Sequence, residues 1–144
     1  MKNYEYGDWT NIIDMLEKAY SLPIRPDPKK FKWYPASHIF DENKSVKWNI
    51  LEASRRNEEH EAEFVRLKGI RSEAINNAEE ILIGMIADYT YKTLHIFNDY
   101  DSAYNGAKVT YSMAYEEKHG YGIRDIICEI ERLVEYLEKV NKLK

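Results

Sequence analysis

The longest pattern in the chain runs from Ser45 to Tyr100, a stretch that contains no proline and only two glycines, Gly69 and Gly84. From Phe64 onward its apolar residues recur at steps of three and four, which places them along one stripe of an α-helix. The pattern therefore predicts one very long helix over residues 45–100, or two helices that are broken near Gly69.

The first half of this stretch differs from the second, because residues 54–63 are almost wholly charged. Close pairs such as Arg55 with Glu59 favour a helix here, and a helix that is polar all round usually projects into solvent or meets a partner. A single glycine costs only about 1 kcal/mol inside a helix. We therefore expect the long helix to continue through Gly69 and to join copies of the chain in a homo-oligomer, as in a coiled coil. A helix folded back at Gly69 is the alternative.

Shorter segments flank the long helix and complete the predicted fold. They are an N-terminal helix (1–20), an extended aromatic and proline-rich arm (21–43), and two C-terminal helices (102–118 and 123–143). The arm holds all four prolines, which exclude a long helix there. Asp101 and Ser102 form a cap signal for the helix that follows them. The sequence thus predicts an all-α helical bundle that forms a single domain over residues 1–144.

Composition and charge narrow the class of protein. The chain has 32% charged residues, 44% hydrophobic residues and a net charge of −4, an ordinary soluble mixture. No stretch approaches the roughly 20 apolar residues of a membrane span, and the first residues do not resemble a signal peptide. Cys128 is the only cysteine, so an internal disulfide is excluded, and its place in the last helix predicts a buried thiol. We therefore expect a cytoplasmic protein without a membrane partner.

Aromatic and basic residues alternate in the arm and near the start of the long helix, which indicates a binding surface. Single-stranded nucleic acid is held by aromatic stacking and by lysines that follow its backbone, and a protein partner could use the same side chains. The candidate binding residues are Lys30, Lys32, Trp33, Tyr34, Lys47, Arg55 and Arg56. The alternative is that the rings close the core while the lysines face solvent.

A second candidate site lies where His119-Gly120-Tyr121-Gly122 leads into the last helix. Backbone N–H groups at a helix N-terminus bind anions, and Arg124 in the first turn would add positive charge. His119, Tyr121 and Arg124 are therefore candidate binding residues for a small ligand such as a nucleotide. A plain turn between two helices is the alternative.

Polar residues also recur along one face of the long helix, at Glu73, Asn77, Glu80, Asp88, His95 and Asp99. This face, together with Ala87-Asp88-Tyr89, resembles the all-α nucleotide pyrophosphatases of the MazG type, which hold Mg²⁺. Met85 stands where that family has an acidic residue, and the family's earlier paired-glutamate motif has no clean match. Because Mg²⁺ needs several converging oxygens, we predict no metal site.

Arg55 and His60 have an Arg-x4-His spacing, which is similar to the motif of the HEPN-type ribonucleases. The resemblance implies an all-α dimer in which these residues of two subunits converge on an RNA phosphate, with histidine as general acid or base. In that family the motif lies late in the chain, whereas here it lies early.

Taken together, the patterns favour a non-enzymatic helical protein, without catalytic residues or cofactor, that acts by binding a macromolecule. The C-terminal half is net acidic, because residues 72–144 hold 13 acidic against 8 basic side chains, and spaced carboxylates on a helical scaffold imitate a phosphate backbone. The most specific form of this hypothesis is a phage-type inhibitor of host defence or of nucleic-acid machinery. A protein partner is favoured over nucleic acid. The alternatives are a nucleotide- or RNA-hydrolysing enzyme of the MazG or HEPN kind, and a small-ligand binder.

Overall fold

The computed structural model describes residues 9–31 and 40–143, and these residues form four α-helices and no strand. The helices are α1 (Trp9–Tyr20), α2 (Val46–Asp88), α3 (Tyr100–Glu117) and α4 (Ile123–Lys142), with a five-residue π-helix (Tyr89–Thr93) directly after α2. The predicted all-α helical bundle with one very long helix is confirmed. None of the described helices is long and apolar enough to cross a membrane.

Helix α2 passes through Gly69 without interruption, as we expected. Gly69 is exposed, and nothing lies within 4 Å of the position that a Cβ atom would take there. The residue therefore has no packing role, and its only cost is the loss of about 1 kcal/mol of helix propensity. A helix of 43 residues tolerates that cost.

The chain divides into two compact units, and each is described separately. The first, here called the core unit, contains α1 and the residues from Ile75 onward, and the second, the arm unit, contains Ser21–Ala74. The single domain over residues 1–144 stays a prediction.

Apolar side chains from each of its described helices hold the core unit together. The larger members of the buried cluster are Ile12, Ile13, Leu16, Leu82, Ile86, Ile126, Ile127, Ile130 and Val134. Helix α3 contributes mainly alanines to this cluster, at positions 103, 107 and 114. Because these residues recur at helical spacing, each helix places its own set on one side. The core is therefore built from large side chains of three helices packed against a small-residue face of the fourth.

One partly buried polar contact joins α3 to the last part of α2. The hydroxyl group of Tyr111 donates a hydrogen bond to the carboxylate of Glu79. Burial raises the pKa of Tyr111, and the hydrogen bond and the negative charge of Glu79 raise it further. The folded protein therefore keeps the Tyr111 proton at a pH where an exposed tyrosine releases it.

Replacing Tyr111 by phenylalanine is expected to lower the free energy of unfolding by about 2 kcal/mol, because a hydrogen bond to a charged group is lost. The pH dependence should change as well. Tyrosines of the unfolded chain titrate near pH 10, so above that pH the unfolded state releases a proton that the folded state retains, and wild-type stability falls. Urea unfolding measured from about pH 9 to pH 11 should show a shallower decline for Tyr111→Phe. The exposed Tyr121, replaced by phenylalanine, is the control and should keep the wild-type slope; identical slopes for all three proteins would contradict the assignment.

The long helix ends before Tyr100, which corrects the predicted boundary. The Thr90 hydroxyl donates to the carbonyl oxygens of Ile86 (3.0 Å) and Ala87 (3.1 Å), and such side-chain bonds compete with the helical backbone. The backbone widens there into the π-helix. His95 then adopts a φ of 53°, a left-handed conformation that does not continue a right-handed helix.

Residues 94–99 thus form a connection that the sequence pattern did not predict. Helix α3 begins at Tyr100 because the carboxylate of Asp99 accepts a hydrogen bond from the Ser102 backbone N–H at 2.8 Å, as an N-cap does. The prediction that Asp101 and Ser102 cap a helix over 102–118 placed this start too late.

In the arm unit, hydrogen bonds of one asparagine side chain connect the end of the arm to the start of α2. The side-chain oxygen of Asn49 accepts a hydrogen bond from the Asp41 backbone N–H at 2.7 Å. Its amide nitrogen donates to the backbone oxygens of Asp41 (3.0 Å) and Ser45 (2.9 Å). Ser45 in turn caps α2, because its hydroxyl oxygen accepts from the Trp48 backbone N–H at 3.0 Å. Asn49 is 0% exposed and its three hydrogen bonds are partly buried, whereas the Ser45 cap is exposed to solvent.

Candidate functional site

An apolar groove lies between α3 and α4 in the core unit, and we call it the α3–α4 groove. It has a volume of about 370 Å³ and is lined by Phe97, Gly106, Val109, Thr110, Met113, Leu133, Tyr136 and Leu137. Three of these residues remain more than half exposed, Val109 (59%), Met113 (54%) and Tyr136 (61%). Contiguous exposed apolar surface of this kind often marks an interaction site.

The groove exists because α4 carries more apolar surface than the core covers. Beside its core-facing residues runs a second apolar row, in which Tyr136 and Leu137 are adjacent and the other neighbours are three or four positions apart: Leu133, Tyr136, Leu137, Val140 and Leu143. Val109 and Met113 of α3 form the opposite wall. A helix that is apolar on more than one side needs more than one partner to bury it. The fold of the core unit covers the first row fully and the second row only in part, through the partly buried Leu133.

The floor of the groove depends on a close approach between Phe97 and Gly106. A Cβ atom at position 106 would lie 2.6 Å from Cζ of the Phe97 ring, so glycine leaves room for the ring and any larger residue would displace it. The Thr110 hydroxyl donates to the Gly106 carbonyl oxygen at 2.9 Å, so its polar group is satisfied within α3. The groove consequently presents mainly carbon atoms.

Cys128 lies on the outer side of α4 and is exposed, which contradicts the predicted buried thiol. One step along an α-helix rotates a side chain by about 100°. The core-facing Ile127 therefore leaves its neighbour pointing away from the core.

The two arginines that were predicted to bind a partner form ion pairs with carboxylates of their own helix. Arg55 pairs with Glu52 and, at 2.6 Å, with Glu59, and the Arg56 guanidinium lies 3.3 Å from Glu52. The hydrogen bond from Arg55 lowers the pKa of Glu52, and the hydrogen bond from Glu52 raises the pKa of Arg55. The positive charge at this place is thus largely compensated within the helix.

Lys30 lies in a cleft of the arm unit whose charges are mixed. The cleft has a volume of about 410 Å³, and its charged lining residues are Arg25, Asp27, Lys30, Glu63 and Arg66. Arg66 is itself paired with Glu63. The cleft is therefore not a purely basic surface.

The other predicted residues of this surface fall into two groups. Lys47 lies exposed in the first turn of α2 and is not part of the cleft lining. Lys32, Trp33 and Tyr34 lie outside the described residues. The binding surface of arm and long helix stays a prediction.

His119 and Tyr121 line a cavity of about 270 Å³ at the turn between α3 and α4. Two further rings line it, those of Tyr20 and Tyr115, and the centroids of Tyr115 and His119 are 5.1 Å apart. Arg124 is not part of the lining, because its guanidinium lies 3.7 Å from Glu17 of α1. The structure thus brings His119 and Tyr121 together and directs Arg124 elsewhere.

The described residues contain no cluster of ligands that the metal-dependent alternative would need. Within 9–31 and 40–143, no group of three or more His, Cys, Asp or Glu side chains is close enough to hold a metal ion. Asp88 lies 4.0 Å from the Lys92 ammonium and accepts a hydrogen bond from the Tyr100 hydroxyl. The Asp88 carboxylate therefore already interacts with a lysine and a tyrosine.

Arg55 and His60 point to different sides of α2. Five positions along an α-helix correspond to a rotation of about 140°, and Arg55 is exposed whereas His60 is half-buried. The two side chains do not converge within one chain. The ribonuclease hypothesis would need a second subunit and stays a prediction.

The residues of the α3–α4 groove were not among the predicted site residues. Leu133, Leu137 and Val140 share the helical period of the buried residues of α4, although the apolar sector of that helix is wider than one packed neighbour covers. Val109 and Met113 lie off the stripe that holds the buried residues of α3. These two features together are the signal that could have located the groove.

Comparison with known proteins adds no relative: no protein-family model matches the chain, and no curated protein or solved structure is significantly similar to it.

Proposed function

We propose that this protein acts by binding another protein through the α3–α4 groove, and that it does so without catalysis. The observation that carries the proposal is the exposure of Val109, Met113 and Tyr136 around one apolar cleft. Apolar area buried in a complex contributes about 25 cal/mol per Å². Insertion of an apolar helix face into such a groove is a common mode of recognition.

The chemistry of the groove favours a protein over a nucleic acid as its partner. Of its two lining hydroxyl groups, that of Thr110 is already bonded to a backbone carbonyl, and that of Tyr136 belongs to a side chain that is 61% exposed. No lining residue carries a positive charge, whereas nucleic acids are held chiefly through their phosphates by lysine and arginine. An inhibitor of host defence remains the concrete version of this function, and the net charge of −4 is its support.

Site-specific photocrosslinking tests this proposal. Tyr136 is replaced by the photoreactive residue p-benzoylphenylalanine, and the full chain is irradiated in the cells that produce it. The matched control carries the same residue at Val65, which is exposed on α2 in the arm unit. We expect a discrete protein adduct from position 136 that position 65 does not give.

A second substitution shows whether the adduct depends on the groove. Met113→Glu places a charge on the opposite wall, and we expect the adduct yield to fall at least about tenfold, the effect of roughly 1.4 kcal/mol of lost binding. Circular dichroism must show unchanged helix content. The proposal is wrong if position 136 gives no discrete adduct, or if Met113→Glu leaves the yield unchanged.

A further inference from the structure

We infer that the cavity at the turn between α3 and α4, which we call the turn cavity, binds a small aromatic carboxylate: one or two fused rings that carry a single acid group. The described residues that line this cavity are all different from those that line the α3–α4 groove. The inference therefore does not rest on the proposed function. It adds a small-molecule site to the core unit.

Aromatic side chains form much of the wall of the turn cavity. Tyr20 at the end of α1, Tyr115 of α3, and His119 and Tyr121 of the turn all line it. Tyr20 and Tyr115 also pack against the buried cluster of the core unit, which holds their rings in place. Aromatic rings attract one another in stacked or edge-to-face arrangements, beyond the effect of the buried area alone. The wall therefore favours a planar aromatic ligand over an aliphatic one.

The start of α4 supplies an apolar part of the lining and helps to limit the size of the ligand. Ile123 and Ile126 line the cavity, and Ile126 is a member of the buried cluster. The cavity has a volume of about 270 Å³, which lies just below the roughly 300–1,000 Å³ of pockets for drug-sized ligands. A ligand of one or two rings fits such a volume better than an extended molecule.

Lys118 is the one lysine or arginine in the described lining of the turn cavity. It is half-buried, and its ammonium lies 5.7 Å from the centroid of the Tyr121 ring. None of the described lining residues carries a carboxylate. The pKa of Glu129 is lowered by a hydrogen bond from Arg132 and also by the charge of Lys118, but the ion pair of Glu129 is formed with Arg132. The ammonium of Lys118 is therefore available to an anionic group of a ligand.

The charges next to the lining favour a ligand with a single negative charge. Arg124 lies 3.7 Å from Glu17 of α1 and so does not contribute a second cation. A carboxylate oxygen of Asp125 lies 3.6 Å from the position of a Cβ atom at residue 122, so the start of α4 already has an anion beside it. A phosphate monoester carries about −1.5 to −2 charges at pH 7, with one lysine to balance them here. The cavity therefore fits a monocarboxylate better than the nucleotide that the sequence suggested.

Titration of the ¹⁵N-labelled full chain with 2-naphthoate, followed by NMR, tests the inference. We expect the amide signals of residues 118–123 to shift, with a dissociation constant below about 1 mM, an ordinary affinity for so small a ligand. 2-Naphthamide keeps the rings but has no charge, and it should bind at least about tenfold more weakly, because a hydrogen bond to a charged group is lost. Decahydro-2-naphthoate keeps the acid group without aromatic rings and should bind at least about threefold more weakly.

Three variants locate the two interactions. Lys118→Met removes the ammonium and keeps an unbranched side chain, so it should weaken 2-naphthoate at least about tenfold and leave 2-naphthamide unchanged. Tyr121→Leu removes a ring that is 74% exposed, and it should weaken both ligands. Lys108→Met is the matched control, because the Lys108 ammonium also lies over a tyrosine ring, 5.0 Å from the centroid of Tyr104, but outside the cavity lining. It should bind 2-naphthoate as the wild type does.

The comparison of the three ligands on the wild-type chain is decisive even if a variant fails to fold, which circular dichroism would show. The inference is overturned if no amide signal of residues 118–126 shifts at about 10 mM 2-naphthoate. It is also overturned if 2-naphthamide or decahydro-2-naphthoate binds as tightly as 2-naphthoate, or if a folded Lys118→Met variant keeps the wild-type affinity. Binding that is lost with Lys118→Met and kept with Lys108→Met supports it.

Discussion

Ile127→Ala is expected to lower the free energy of unfolding by about 4 kcal/mol, because large-to-small changes at buried isoleucines cost about 2–5 kcal/mol. Ile127 is 0% exposed and lies in the buried cluster of the core unit. The cost should fall in the upper part of this range. The neighbouring helix α3 presents alanines to the core, and an alanine has no rotamer with which to fill a cavity.

Urea unfolding followed by circular dichroism measures this effect. Ile81→Ala deletes the same atoms from α2 at a side chain that is 47% exposed, and it should change stability by no more than about 0.5 kcal/mol. If Ile127→Ala also changed stability by less than about 1 kcal/mol, the packing described for the core unit would be wrong.

Asn49→Ala should destabilise the arm unit by about 3 kcal/mol, the second largest effect that we expect. The substitution removes all three hydrogen bonds of the Asn49 side chain, including both bonds to the Asp41 backbone. Each buried polar group left without its partner costs about 1–3 kcal/mol. Asn49→Asp should not rescue the protein, since a carboxylate keeps the acceptor but loses both donors.

Tryptophan fluorescence reports this change, because Trp48 is adjacent to Asn49 in α2. The matched control is Asn77→Ala, an exposed position of the same helix, for which we expect a change within about 0.5 kcal/mol. Equal denaturation midpoints for Asn49→Ala and the wild type would show that the arm is not held in this way.

Much of the helical architecture could be predicted from the sequence, because each helix buries residues at a helical period. Ile126, Ile127, Ile130 and Val134 show this most clearly in α4. The end of α2 could not be predicted in this way. There the Thr90 hydroxyl donates to two backbone carbonyl oxygens and the backbone widens into the π-helix, although Thr90 fits the same period as its apolar neighbours.

The candidate site was less accessible to sequence reasoning than the fold. Leu133 and Ile130 are both apolar and three positions apart, yet Ile130 is fully buried and Leu133 lines the groove. Which apolar row of a helix faces the core depends on how many helices pack around it, and a single sequence does not state that number. The charge of Arg55 and Arg56 is visible in the sequence, but its compensation by Glu52 depends on side-chain geometry.

The contact between Phe97 and Gly106 also restricts how this protein can diverge. With 2.6 Å between the Phe97 ring and the position of a Cβ at 106, a larger residue at 106 requires the Phe97 ring to move or to be replaced by a smaller side chain. A lineage that acquires alanine at 106 would therefore have a groove of different shape. If the groove binds a partner as we propose, covariation of these two positions would record changes of that partner, even where every helix is preserved.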